Sequence, residues 1–392
     1  FILYTSINLT KKNLGNLLFN LLYAKLKIVS RVFLKMNNVE QYISNSSVLS
    51  PFFINGDAFS LLKNLPNESI DCIITSPPYY HKRKYLEGNL GLEKNYTEYI
   101  ENILNITKEL YRVLKPSGSF WLNLGDSYLD KNLLNIPYRI TIKMQDEQKW
   151  ILRNTVIWDK MKGSLSFSKD SLRNEYEPFF HFVKYRKGYF YDDVAIRKKP
   201  GKAIIKDNKV ISATGVKGIN YRRKIELSTE LTEEQKKNAF LALDENLNKI
   251  KRGELTDFRM VIKGANQRIT FGESLSLSGR AKELNDNGFY FLNYNPNGSM
   301  ISDVWQITSE NKKGNKVHYA IFPEDLVKTP ILLTCPTNGI VLDPFVGSGT
   351  TSYVSSLLKR KSIGIDISEE YIKLAIHRCS EFKPIIYEDD KS

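Results

Sequence analysis

Ile73-Ile74-Thr75-Ser76-Pro77-Pro78-Tyr79-Tyr80 is the stretch on which the reading of this chain turns. The run Asp71-Cys72-Ile73-Ile74 predicts a buried strand, and Ser76-Pro77-Pro78 ends it. Neither proline can donate a ladder hydrogen bond and each fixes its own φ, so the strand cannot run on. What remains is a stiff corner at a strand's carboxyl end, carrying a hydroxyl, outward carbonyls and an aromatic ring. In open α/β sheets ligands collect at that place. A plain strand terminator followed by a packed tyrosine is the competing reading, and the corner alone does not separate the two.

Outward from the corner, strands and helices alternate. Residues 52–55 predict a short strand ending in Gly56-Asp57, and 58–65 a brief helix stopped by Pro66. Tyr96, Tyr99, Ile100, Ile103, Leu104, Leu110 and Val113 recur at helical spacing, and Lys115-Pro116-Ser117-Gly118 reads as a stop and turn. Strands are expected over 119–124, closing on Gly125-Asp126, and over 153–158 and 178–184. The alternation predicts a mostly parallel sheet with helices on its faces. It returns near the C-terminus, with a helix over 324–333 and a strand over 339–342. That strand runs into Asp343-Pro344-Phe345-Val346-Gly347-Ser348-Gly349-Thr350-Thr351; a helix to about residue 360, a strand ending on Asp366 and a helix over 369–379 follow.

Strand, glycine loop, helix, then an acid 23 residues after Asp343 is the geometry of a nucleoside cofactor site. Glycines let backbone approach a ligand where a Cβ would collide. Asp366 can accept both hydrogen bonds of a ribose diol. The loop lacks the three-glycine dinucleotide fingerprint and the Gly-Lys-Ser/Thr of a triphosphate site. A cofactor with a ribose and no phosphate is favoured, and S-adenosylmethionine is the common one. Each half of the chain has too few strands for a stable α/β domain. Both therefore belong to one sheet, in the order catalytic half, inserted domain, cofactor half.

The 392 residues are 42% hydrophobic and 26% charged, enough for one large domain with an insertion or for two domains. No run approaches the roughly 18 apolar residues of a membrane span. Cys72, Cys335 and Cys379 are far apart and fit no zinc spacing, and the four histidines are scattered, so no metal is expected. The cysteine usage points to a reducing compartment and a cytoplasmic location. A formal net charge of +14 favours a polyanionic partner. Residues 184–317 carry 26 Lys+Arg against 16 Asp+Glu, +10 of that total, with clusters at Arg197-Lys198-Lys199 and Arg222-Arg223-Lys224. A helix is expected over 232–251, with Phe240, Leu243, Leu247 and Ile250 on one face. Such a basic, aromatic-containing insertion suits nucleic acid; a solvated charged subdomain is the competing reading. Residues 1–51 read as a leader of uncertain status, with Met36, the first methionine, as the expected start.

Taken together, the chain resembles the β-group DNA amino-methyltransferases of restriction-modification systems, those carrying Ser-Pro-Pro-Tyr. The matching pieces are GDAFSLLKNLPNESIDCIITSPPYY, RVLKPSGSFWLNLGD, NEYEPFFHFVK, HYAIFPEDLVKTPILLTCP, VLDPFVGSGTT and IGIDIS, in that order between about residues 52 and 383. The resemblance implies a Rossmann-like S-adenosylmethionine-dependent fold with permuted motifs: a catalytic half over 52–189, a target-recognition region over 190–300 and a cofactor half over 301–392. It implies that Asp343, Phe345, Gly347 and Gly349, with Thr350, hold the methionine part, Asp366 the ribose and Asp57 the adenine. The segment from His318 to Leu326 would close that pocket. The implied partners are double-stranded DNA and a cognate restriction endonuclease; monomer and dimer stay open.

The chemistry fits the residues. An exocyclic amine on cytosine or adenine is a poor nucleophile, because its lone pair is delocalised into the ring. Ser76 Oγ and the Pro77 carbonyl, held by Pro78, can take its two N–H bonds and pull the nitrogen toward sp³. Tyr79 offers a face for the base, which must leave the duplex. Ser76 at the first position of the motif favours cytosine N4; adenine N6 is the alternative. Methylation at carbon 5 needs a thiolate at the corner, and no cysteine is there. An RNA base methyltransferase and a catalytically silent DNA-binding relative are the remaining rivals. Arg83 and Tyr85 are candidates for phosphate or the orphaned base, and Trp121, Asn123 and Asp126 for lining the pocket. Arg222, Arg223, Arg259, Lys263, Arg268 and Arg280 are the candidate DNA contacts.

Overall fold

The computed structural model describes residues 39–82, 90–161, 170–198, 201–207, 209–213, 217–264, 279–294, 297–308 and 322–387. Contacts divide the chain into two units, 1–192 with 302–392, and 193–301.

The first unit opens with helix α1 (Val39–Ser44), strand β1 (Phe52–Asn55), helix α2 (Ala58–Leu62) and strand β2 (Ile70–Thr75). Helix α3 (Tyr96–Val113) follows, capped by the Asn95 side chain, which accepts Glu98 N–H at 2.9 Å. Its expected apolar face is buried: Tyr99, Ile100, Ile103, Leu104, Leu110 and Val113. Strand β3 (Leu114–Asn123) begins with no intervening turn. Lys115-Pro116-Ser117-Gly118 is a bulge within β3, where Ile70 to Cys72 on β2 spans Leu114 to Ser119. Gly118 fits because a Cβ there would lie 2.9 Å from the Asp71 carbonyl, and Lys115 Nζ pairs with Asp71 at 2.8 Å. A small hairpin, β4 (Tyr128–Leu129) and β5 (Asn132–Leu133), leads to α4 (Ile136–Gln148), β6 (Ile151–Asp159) and β7 (Tyr176–Val183).

The second unit contains β8 (Ile204–Lys206), β9 (Lys209–Ile211), α5 (Gly218–Glu226), α6 (Glu233–Lys251), β10 (Phe258–Ile262), α7 (Gly279–Asn287) and β11 (Phe289–Asn293). Helix α6 starts on a capping box between Thr232 and Gln235. Leu243 and Ile250 of α6 join Tyr221, Ile225, Phe258 and Met260 in a core that this unit owns.

The chain then returns with β12 (Val304–Gln306), α8 (Glu324–Thr334), β13 (Ile340–Asp343), α9 (Thr350–Leu357), β14 (Lys361–Asp366), α10 (Glu369–Arg378) and β15 (Ile385–Tyr387). Nine strands form one sheet in the order β12-β6-β7-β3-β2-β13-β14-β1-β15. Both neighbours of β7 run antiparallel to it; every other pairing in the sheet is parallel. Segments from both ends of the chain therefore interleave in one sheet. Strand β1, at the start of the expected catalytic half, pairs with β14 and β15 from the other end.

Residues 39–51, read as part of a leader, are packed. Tyr42 is buried, and its hydroxyl lies 2.8 Å from the Ser50 carbonyl and accepts Ser362 N–H at 3.1 Å. None of the described helices is long and apolar enough to cross a membrane.

Candidate active site

Five parallel strands, β3, β2, β13, β14 and β1, end side by side at one edge of the sheet. Ser76 follows β2, the glycine loop follows β13, Asp366 ends β14 and Asp57 follows β1. Adjacent strands lie about 4.8 Å apart, so this row from corner to Asp57 spans roughly 14 Å. The two halves are also bonded. Thr75 Oγ1, one residue before the corner, donates to Asp343 Oδ1 at 2.7 Å. Asp343 further accepts Phe345 N–H at 3.1 Å and Thr351 Oγ1 at 2.6 Å. Burial pushes its carboxyl up to about 6, outweighing those hydrogen bonds, and the Asp366 charge acts in the same direction.

Asp366 braces the loop: Oδ2 accepts Gly347 N–H at 2.9 Å and Oδ1 accepts Ser368 N–H at 2.9 Å. Gly347 (φ 50°) and Gly349 (φ 82°) are left-handed. At Gly349 the missing Cβ makes room for α10, since it would lie 2.9 Å from Ala375 Cα. That is a packing reason, where the sequence suggested ligand approach. Thr350 is buried and its Oγ1 accepts from Arg378 at 2.9 Å, turned toward α10. Phe345 is half-buried at the loop. Asp57 is exposed and caps α2, accepting Ser60 N–H at 2.9 Å and Ser60 Oγ at 2.7 Å.

The corner is held from three sides. Pro77 is buried, Tyr99 Oη donates to the Pro78 carbonyl at 2.8 Å, and Ser127 Oγ donates to the Tyr80 carbonyl at 2.5 Å. Tyr79 Oη lies 3.0 Å from Ser76 Oγ, 2.9 Å from Asn123 Oδ1 and 2.9 Å from Glu177 Oε2. Ser76 Oγ is 3.3 Å from Asn123 Oδ1. Asn123 Nδ2 donates to the Pro178 carbonyl at 3.2 Å, which turns its oxygen toward the hydroxyls. Gly125 leaves room for the tyrosine ring: a Cβ there would lie 2.5 Å from Tyr79 Cε2. Lys160 Nζ pairs with Glu177 Oε1.

Asn123 thus joins the corner directly, and Glu177, which no sequence pattern singles out, joins it from β7. Trp121 is core, stacked on His181 with centroids 4.3 Å apart. Asp126 Oδ1 accepts Ser127 N–H at 2.8 Å and Ile136 N–H at 3.1 Å, ordering the start of α4. In the second unit Arg223, Arg259 and Arg280 are exposed. Arg222 is ion-paired with Asp244 and lies 5.8 Å from the Phe240 ring centroid, while Lys263 Nζ is 3.5 Å from Asn285 Oδ1. Arg83, Tyr85, Arg268 and His318 lie outside the described residues.

A largely parallel α/β sheet with a rigid Ser-Pro-Pro corner bonded to a glycine loop at its carboxyl edge defines the class as a Rossmann-like methyltransferase. The family can be stated as well. A model of the N6_N4_Mtase family, described as DNA methylase, matches residues 70–377, and the chain belongs to this family. It is 29% identical over 382 residues to the type II methyltransferase M.SfiI of Streptomyces fimbriatus, covering 81% of this chain and 88% of that one. To M.SmaI of Serratia marcescens it is 26% identical over 363 residues, covering 85% and 92%. Among solved structures, the PvuII DNA methyltransferase (cytosine-N4-specific) matches with a TM-score of 0.50 at 19% identity, over 88% of this chain and 89% of that one. At that identity the likeness speaks for the fold.

Proposed function

We propose that the chain transfers a methyl group from S-adenosylmethionine to the exocyclic N4 amine of a cytosine flipped out of duplex DNA, as the modification enzyme of a type II restriction system. The observation that carries this reading is the Thr75–Asp343 hydrogen bond of 2.7 Å, which fastens the corner to the glycine loop across adjacent strands. The residues present fit that cofactor. Asp343 is a buried carboxylate beside a second one, Asp366, and a cationic ligand relieves the cost of its charge. S-adenosylmethionine supplies an electrophilic methyl on a sulfonium. The protein's task is to hold the amine in line with it and to accept its N–H bonds. Ser76 Oγ and the Pro77 carbonyl are the acceptors, and two prolines keep them from swinging away. Tyr79 carries the base. Asp57 and Asp366, on the same edge, take the adenine and ribose ends. The basic second unit, 193–301, reads the DNA.

Serine at the first position of the Ser-Pro-Pro-Tyr motif supports cytosine over adenine, and the type II names of the relatives support the restriction-modification role. The test is methyl transfer from labelled S-adenosylmethionine to duplex DNA, followed by digestion to nucleosides and mass spectrometry. N4-methylcytosine, lost in Ser76→Ala, is the expected product. N6-methyladenine would move the assignment to adenine, and transfer to RNA alone would sink it.

A further inference from the structure

Glu177 lies in the stretch Asn174-Glu175-Tyr176-Glu177-Pro178, to which the reading above gives no task. Among the described residues its carboxylate belongs to a set of four oxygens: Ser76 Oγ, Tyr79 Oη, Asn123 Oδ1 and Glu177 Oε2, joined by contacts of 2.9 to 3.3 Å. The set holds only two protons, one on each hydroxyl. Tyr79 has two acceptors at 2.9 Å, and a carboxylate outcompetes an amide carbonyl. Lys160 fixes that carboxylate from its other oxygen, and the Glu177 side chain is only 13% exposed. The Tyr79 proton therefore goes to Glu177. The Ser76 proton then goes inward too, to Tyr79 Oη or to Asn123 Oδ1. Toward the pocket, Ser76 Oγ shows lone pairs alone.

We propose that Glu177 is the positioning residue that sets this polarity. It makes Ser76 Oγ an obligate acceptor, so that the pocket takes a base presenting an amine and refuses one presenting a carbonyl at the same edge. The inference rests on the reading of an exocyclic amine as the methyl acceptor. A purely structural ion pair, tying the end of β6 to β7, is the rival.

Glu177→Gln puts an amide N–H within reach of Tyr79 Oη. The tyrosine proton then turns to Asn123, and the serine proton is pushed toward the substrate. The measurements are kcat and KM for methyl transfer, and Kd for duplexes carrying at the target either the amine base or its carbonyl counterpart (uracil for cytosine, hypoxanthine for adenine). For Glu177→Gln, kcat falls about tenfold to a hundredfold, the size of a hydrogen bond to a charged group, with KM for the cofactor unchanged. The preference for the amine base narrows by about tenfold. Because the effect travels through the tyrosine hydroxyl, adding Glu177→Gln to Tyr79→Phe lowers kcat by less than about twofold further. Glu177→Asp keeps the charge but draws it back by one methylene, and gives the same background-dependent loss should the glutamine variant not fold. An unchanged amine preference in Glu177→Gln overturns the proposal, as does a loss of equal size in the Tyr79→Phe background. Wild-type protein that transfers no methyl group to DNA fails the underlying reading instead, and this one with it.

Discussion

Asp343 keeps a carboxylate where burial disfavours its charge, and the consequence is measurable. Its folded value of about 6 lies above the ordinary 3.8, so the folded state holds this proton more tightly than the unfolded chain does. The stability from that proton is present below about pH 3.8 and is lost as pH rises through about 6. Asp343→Asn removes the slope. Relative to wild type, the variant should gain about 2 kcal/mol between pH 4 and pH 7 in urea unfolding, while its affinity for S-adenosylmethionine at pH 7.5 falls. A parallel pH profile in the two proteins would count against the carboxylate carrying this cost. Gly125 is a second single-residue test. Gly125→Ala places a methyl 2.5 Å from the Tyr79 ring and should reduce kcat more than tenfold, with the circular dichroism spectrum unchanged. Retained activity would mean that the ring can move without consequence. Ser76, Tyr79, Asp343 and Asp366 were legible because residue type and spacing marked them. Glu177 was not, because the hydroxyl it meets belongs to Tyr79, on the loop after β2 and 98 residues away.

Helix α1 has six residues and cannot stand alone. Lys361, buried at the start of β14, holds it by donating to the carbonyls of Tyr42, of Ile43 at 3.2 Å and of Asn45 at 2.9 Å. Its ammonium also lies 4.5 Å from the Tyr42 ring centroid. Lys361→Met leaves these carbonyls short of a donor and should cost about 2–3 kcal/mol in urea unfolding. Since Lys361 begins β14 and the site lies at its other end, kcat below the melting transition should hold. A change under 0.5 kcal/mol, on the order of an ordinary surface substitution, would show that α1 docks without this anchor. Elements with strong apolar periodicity, such as α3 and α6, were readable locally. The Lys115–Gly118 segment was misread, because a proline and a glycine look alike in a turn and in a bulge. Helix α1 was hidden because what holds it, Lys361, lies 319 residues beyond Tyr42 in the chain.

At the scale of the molecule, the basic charge is concentrated in the segment containing the second unit, and the unit has its own core. Each phosphate contact removed from a DNA complex lowers the slope of log K against log salt by about 0.9. Replacing Arg223, Arg259 and Arg280 together with alanine should flatten that slope by roughly 1 to 3, with the affinity for S-adenosylmethionine unaltered. Arg222, already paired with Asp244, should contribute less. An unchanged slope would mean that these side chains face solvent in the complex.

Sequence alone determined the local pieces: the proline-locked corner, the glycine loop with its acid 23 residues on, and the alternation of strand and helix. Those follow from φ restrictions and from hydrophobic period, which act over a few residues. Only the tertiary structure decided which strands are neighbours, and so which side chains meet. The order β2-β13-β14-β1 brings Thr75 to Asp343, and the antiparallel β7 brings Glu177 to a tyrosine 98 residues earlier. Hydrogen bonds of that kind depend on distance in space, which no local pattern encodes.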